Sequence, residues 1–135
     1  MENTLYVFVY GTLRVHEGNH SLLRDAKCVA RHAWTNGVLY DTGVGYPAMA
    51  TDSMERVYGE VYEITKEHLR CLDRLEGFAG DGEINHYERI DQTVYTDHGP
   101  LQAYVYVYLP HQVTDLVAIP SGDWKCHRYL EEEDL

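Results

Sequence analysis

What the chain lacks sets its limits. None of its 135 residues falls in an apolar run long enough to span a bilayer, and its start lacks the basic-then-apolar layout of a secretory signal. Cysteine is scarce: Cys28, Cys71 and Cys126 are an odd number with no C-x-x-C pair, which predicts reduced thiols in a cytoplasmic protein. Basic residues are few, 11 against 22 acidic ones, and a formal net charge of −11 repels phosphate backbones, so no nucleic-acid partner is expected. No glycine-rich nucleotide fingerprint or P-loop occurs. The eight histidines are scattered. His16 and His20 have helical ligand spacing but Gly18 lies between them, and the neighbours Cys126 and His127 point apart on an extended chain, so no zinc or other metal is expected. No context supports Cys28 or Cys71 as a nucleophile. Repeats and low-complexity linkers are missing too, which predicts a single domain over residues 1–135.

What is present is organised around Val7-Phe8-Val9-Tyr10-Gly11-Thr12-Leu13-Arg14. Its first half is β-branched and aromatic and reads as a strand buried on both faces. A strand that runs out into a glycine turn leaves consecutive backbone N–H groups unpaired, and such a concave row of donors suits a carboxylate or a phosphate. Gly11 lets backbone approach a ligand closely, and Arg14 supplies a nearby charge partner. The same residues also describe an ordinary strand exit.

Along the chain, Asn19–Ala26 reads as a short helix capped by Asn19. Lys27–Trp34 and Gly37–Tyr40 read as strands joined by an Asn36-Gly37 turn, and Ala48–Thr51 as a short strand after a loop at Gly43, Gly45 and Pro47. Val57–Ile64 alternates with a period of two, a half-buried strand. Thr65 caps the main helix, whose Leu69, Leu72 and Leu75 share a face and whose end is Glu76-Gly77. His86–Tyr95 and Leu101–Leu109 read as a hairpin about Asp97–Pro100, with Tyr104, Tyr106 and Tyr108 on one face and Ala103, Val105 and Val107 on the other. The acidic tail Glu131–Asp134 reads as a solvated end. The expected fold is α+β: a mostly antiparallel, barrel-like mixed sheet with one main helix and short helices.

Glu76 stands out for chemistry. At the negative end of a helix dipole its charge is disfavoured, and partial burial would make it a better proton acceptor near neutral pH. A surface glutamate beside a capping glycine has the same local sequence. Tyr10-Gly11-Thr12-Leu13 resembles the opening motif of the γ-glutamylcyclotransferase-like proteins. Leu75-Glu76-Gly77 followed by Tyr87-Glu88-Arg89 is similar to that family's catalytic layout, although Phe78–His86 is longer than the expected link. Gly18-Asn19, Gly45-Tyr46-Pro47-Ala48, Tyr58–Tyr62 and Ser121–Trp124 extend the likeness over most of the chain, toward small bacterial γ-glutamylamine cyclotransferase-like members.

The resemblance implies a cofactor-independent enzyme acting on a small γ-glutamyl amine or amide. The α-amine attacks the γ-carbonyl to give 5-oxoproline and a free amine, with Glu76 as general acid/base. Tyr10, Gly11, Thr12, Leu13 and Arg14 would bind the α-carboxylate end. Tyr46 and Pro47 would line the pocket, and Tyr87 would hydrogen-bond substrate or position Glu76. Substrate selectivity is expected in Thr42–Pro47 and Ala79–Asn85, the latter as a flap. A binding protein that keeps the pocket without turnover is the alternative from another class. Nothing in the sequence speaks to oligomeric state.

Overall fold

The computed structural model describes residues 4–52 and 54–133, the last three by backbone alone. Among them are eight strands and two α-helices. The strands are β1 (Leu5–Val9), β2 (Lys27–Asn36), β3 (Val38–Asp41), β4 (Pro47–Ala50), β5 (Arg56–Ile64), β6 (Glu88–Thr96), β7 (Gly99–Val107) and β8 (Val117–Ala118). The helices are α1 (Lys66–Glu76), between β5 and β6, and α2 (Trp124–Glu133). Five strands close a barrel in the order β1-β5-β2-β6-β7, and β4-β3-β8 form a separate small sheet. Every barrel pairing is antiparallel except the closure, where β1 meets β7 in parallel at Val7 and Tyr104. The α+β, barrel-like expectation describes this architecture.

Alternation along the strands sorts side chains between two apolar clusters. Phe8, Val61, Val94, Val105 and Val107 belong to the cluster that fills the barrel, which Leu39, Met49 and Trp124 join from the small sheet and α2. The intervening residues Val7, Val9, Tyr62 and Tyr106 point the other way and pack with Leu72 of α1. Both faces of β1 are therefore covered, and Val7 and Phe8 are at most 1% exposed. Packing is tightest where β1 runs over β5. A Cβ at Gly59 would lie 2.1 Å from the Val9 carbonyl oxygen, so no larger residue fits there.

The main helix starts and stops as its sequence directs. The Thr65 side chain accepts from the His68 N–H while His68 accepts from the Thr65 N–H, a reciprocal cap. At the other end Gly77 adopts the left-handed conformation, φ 68°, and ends the helix. Leu72 is fully buried, Leu69 half-buried, and Leu75 stays 41% exposed.

Two local expectations are corrected. Asn36-Gly37 does not turn a hairpin: β2 pairs with β5 and β6, whereas β3 pairs with β4 and β8, so the chain changes sheets at Gly37. Asn19–Ala26 forms only a 3-10 turn over His20–Leu23, because the Asn19 side chain bonds Thr12 instead of capping. The C-terminal segment is a helix; the backbone of Glu131–Glu133 continues it, and Asp134 lies outside the described residues. No helix among the described residues is long and apolar enough to cross a membrane.

Candidate active site

The end of β1, the end of α1 and the start of β6 converge on one cavity of about 270 Å3. The turn after β1 supplies the first wall. The Gly11 carbonyl accepts from the Arg14 N–H at 3.0 Å, and the Thr12 carbonyl from the Asn19 N–H at 2.8 Å. The Leu13 carbonyl meets His20 Nδ1 at 3.0 Å, and the Asn19 side chain bonds Thr12 Oγ1. All three carbonyls are thus occupied, while no described residue accepts from the N–H of Gly11, Thr12 or Leu13. All three residues line the cavity, which carries no lysine or arginine. An anion held there is held by N–H dipoles.

Glu76 supplies the second wall. Its helix ends at once: Phe78 N–H returns to the Asp73 carbonyl at 2.8 Å. The chain leaves on an excursion over residues 78–85 and rejoins at its point of departure, where His86 N–H bonds the Gly77 carbonyl and Tyr87 N–H the Glu76 carbonyl, at 2.9 and 3.1 Å. The long link therefore leaves the Glu76–Tyr87 geometry undisturbed. Asn85 closes the excursion, accepting from the Ala79 N–H and donating to the Gly80 carbonyl and to Glu88. No residue of Ala79–Asn85 lines the cavity, so the expected flap is a tied loop beside it.

The Glu76 carboxylate is half-buried, and no hydrogen bond or ion pair reaches it among the described residues. Burial alone pushes it up to about 7. The surrounding phenols feel its charge: Tyr10 and Tyr87 are pushed far above the ordinary tyrosine range, first by burial and then in part by Glu76. Asp73, one turn earlier, is fully engaged, accepting from Tyr106 Oη at 2.6 Å and pairing with Arg89. The last turn of α1 is thereby fastened to both β6 and β7.

The other expected residues divide. Tyr46, Pro47 and Tyr87 line the cavity with Tyr10. The two phenols Tyr10 and Tyr87 have structural duties there. Tyr10 Oη donates to the Tyr106 carbonyl and accepts from the Met49 N–H, and Tyr87 Oη donates to the Pro47 carbonyl at 2.7 Å. Both hold β4 against the cavity. Gly11 has a packing reason to be small: a Cβ would lie 2.7 Å from Pro47 Cγ. Arg14 is a correction. It does not line the cavity; its guanidinium turns away to Glu60 and Asp123, at 3.1 and 3.0 Å. Carboxylates that compensate its buried charge draw it off the ligand side.

His86 was not foreseen. It lines the cavity with Nε2 2.9 Å from Tyr108 Oη and 3.2 Å from Tyr46 Oη. Its only signal in the sequence is its place directly before Tyr87. Among the described residues no group of three or more His, Cys, Asp or Glu is arranged to hold a metal ion, and the three cysteines are unbridged and exposed.

Comparison with known proteins agrees with this geometry. A protein of Halalkalibacterium halodurans is 42% identical over 103 residues, covering 76% of this chain and 90% of its own. The γ-L-glutamyl-butirosin B γ-glutamyl cyclotransferase of Niallia circulans is 37% identical over 123 residues, 90% of this chain and 76% of that one. The crystal structure of YkqA from Bacillus subtilis superposes with a TM-score of 0.77 at 32% identity, over 97% of this chain but 43% of YkqA. Residues 7–126, which include every cavity residue named above, match the γ-glutamyl cyclotransferase, AIG2-like family. The chain belongs to that family and is an enzyme of the γ-glutamylcyclotransferase type.

Proposed function

We propose that the protein converts a γ-glutamyl amine to 5-oxoproline and the free amine, with Glu76 as its acid/base. The observation that carries this reading is a carboxylate without a partner among the described residues, raised to about 7 by burial, in the cavity lined by Gly11, Thr12 and Leu13, whose N–H groups no described residue accepts from.

The α-amine of a γ-glutamyl compound is mostly protonated at neutral pH and cannot attack. Ionised Glu76 takes one of its protons. The freed nitrogen lone pair then forms a bond to the γ-carbonyl carbon, and the carbonyl electrons move to oxygen. Glu76, now protonated, gives its proton to the departing nitrogen as the original C–N bond breaks and the carbonyl reforms. The carboxylate so restored takes the second proton from the ring nitrogen, leaving the neutral lactam, and passes it to the freed amine, which departs as an ammonium. One carboxyl group serves all these steps because its pKa lies near the working pH. The Gly11–Leu13 turn seats the α-carboxylate and folds the flexible chain into its cyclising geometry, reducing the entropic cost of closure.

The leaving group is an amine without a carboxylate of its own. A γ-glutamyl dipeptide would bring a second anion into a lining that has no lysine or arginine to receive it. That the Niallia circulans relative is named for a γ-L-glutamyl-butirosin substrate supports this preference. The test is 5-oxoproline release from γ-glutamyl amines, γ-glutamyl dipeptides and glutathione, with wild type beside Glu76→Gln. Amine substrates should be turned over by wild type only. Release that survives in a folded Glu76→Gln protein would sink the acid/base assignment, and equal rates on dipeptides would sink the amine preference.

A further inference from the structure

Two loops border the cavity: residues 10–19, which carry the Gly11–Leu13 turn, and residues 42–47, which carry Tyr46 and Pro47. Both are tied from behind to α2. The helix is itself firmly seated. Gly122 at its entry has φ 69°, a Cβ there would lie 2.0 Å from the Arg56 carbonyl oxygen, and Trp124 is buried in the barrel cluster.

The ties to the first loop are ionic. The Arg14 side chain, directly after the turn, donates through Nε to Glu60 Oε2 and through Nη1 to Asp123 Oδ1. Glu60 also accepts from the Val15 N–H at 2.9 Å and from Tyr62 Oη at 2.8 Å. Asp123 Oδ1 takes the Cys126 N–H at 3.2 Å as well, so one carboxylate meets both α2 and Arg14. Further along the helix, Lys125 Nζ donates to the Val15 carbonyl and Arg128 bonds Glu17 at 2.6 Å. On the other side His127 Nε2 lies 2.9 Å from Asp41, whose second oxygen accepts from the Gly43 N–H at the start of the second loop.

We propose that Arg14 and Asp123 are positioning residues of the active site, and that α2 is the brace through which they set it. With Glu60 they form a seam behind the Gly11–Leu13 turn that fixes the direction of its three free N–H groups before substrate arrives. The proposal rests on the reading of that turn as the carboxylate seat. A row of N–H dipoles holds an anion well only when already aligned, because ordering a loose loop subtracts from binding. Charge-assisted bonds, several to one carboxylate and shielded from water where Arg14 meets Glu60, supply that alignment.

Two variants test the seam without removing its core. Asp123→Asn keeps an oxygen for the Cys126 N–H but withdraws the charge from Arg14. Arg14→Lys keeps a cation beside Glu60 but cannot bridge two carboxylates. Hydrogen exchange on each protein is followed at the Arg14, Glu17 and Asn19 amides, which bond the Gly11, Arg14 and Thr12 carbonyls. In proteins whose circular dichroism is that of wild type, these amides should exchange about tenfold faster or more while those of β6 and β7 keep their rates. For 5-oxoproline release KM should rise about fivefold or more, with kcat and its pH midpoint unchanged. Wild-type exchange and wild-type KM in both folded variants would overturn the proposal. If wild type releases no 5-oxoproline from any compound, the proposed reaction falls, and exchange alone judges the seam: faster exchange upholds it and unchanged exchange overturns it.

Discussion

Two glutamates lie on opposite sides of the Gly11–Leu13 turn, and they are treated in opposite ways. Glu60, behind it, is 2% exposed and receives Arg14, the Val15 N–H and Tyr62 Oη. Glu76, in the cavity, is more exposed yet receives none of these. Burial does not separate the two; partnership does. A buried carboxylate that is given its partners holds structure. One deprived of water and given no partner has its proton affinity raised toward neutrality, the property that proton transfer needs. Behind the turn Glu60 is fully partnered; in front of it Glu76 and the N–H groups of Gly11, Thr12 and Leu13 have no partner among the described residues, and these open groups mark the site.

The sharpest way to break that comparison is to neutralise each carboxylate in turn. Glu76→Gln should lower kcat by about 10²–10⁴-fold, the usual share of general acid–base catalysis. Its stability should not fall. Glu60→Gln should do the reverse, leaving the buried Arg14 short of a counter-charge and costing on the order of 3 kcal/mol, roughly 10 °C in Tm for a domain of this size. Calorimetry beside steady-state kinetics reads both. A Glu76→Gln protein as destabilised as Glu60→Gln would show that the cavity carboxylate is structural after all.

The pH dependence of Glu76 sharpens the contrast, because activity and stability should move in opposite directions. The acting form is the carboxylate, so kcat/KM should climb with pH and level off above a midpoint near 7. For stability, an acid raised from 4.5 unfolded to about 7 folded favours the protonated native state. Its charge costs nothing below pH 4.5, costs progressively more between the two values, and about 1–3 kcal/mol above them. Glu76→Gln should therefore be more stable than wild type at pH 8 and indistinguishable from it at pH 4. Equal pH–stability curves for the two proteins would contradict the desolvated environment assigned to this group.

Which parts of this arrangement were legible in the sequence follows from the range of the forces involved. The α1 cap at Thr65, its stop at Gly77 and the alternation of β7 are local, and they read directly. The turn Tyr10–Leu13 and Glu76 were legible as a pair through a resemblance carried by short motifs in order. Long-range pairing was not. Asn36-Gly37 has the chemistry of a hairpin turn, but β2 finds more surface on β5 and β6 than on β3. Arg14 follows the binding turn by one residue and reads as its charge partner; only the fold reveals Glu60 and Asp123 behind it, 46 and 109 residues away. His86 was hidden among scattered histidines because the tyrosines that hold it, Tyr46 and Tyr108, come from other elements.

Smaller effects test the walls of the cavity. Tyr87→Phe removes the donor to the buried Pro47 carbonyl and should cost about 1 kcal/mol of stability, the ordinary net value of such a bond, with the loosened β4 edge raising KM. If Tyr87 acts on substrate directly, kcat should fall well beyond what that loosening explains, so the kcat-to-KM split separates the two duties.

The smallest effect concerns the excursion at residues 79–85, whose glycines and acids read as a flap over the pocket. Asn85 ties it by three side-chain hydrogen bonds, all of them within the excursion or to Glu88 at the start of β6. Asn85→Ala should therefore speed exchange in this segment and lower stability by about 1 kcal/mol, yet change kcat and KM by less than about twofold. The reason lies in where the excursion begins and ends. His86 and Tyr87 are secured to Gly77 and Glu76 by backbone bonds that bypass it, so disorder in the loop has no path to the carboxylate. A large change in KM for this variant would restore the flap, and would mean that the cavity closes over its substrate by movement of a segment that does not line it in this conformation.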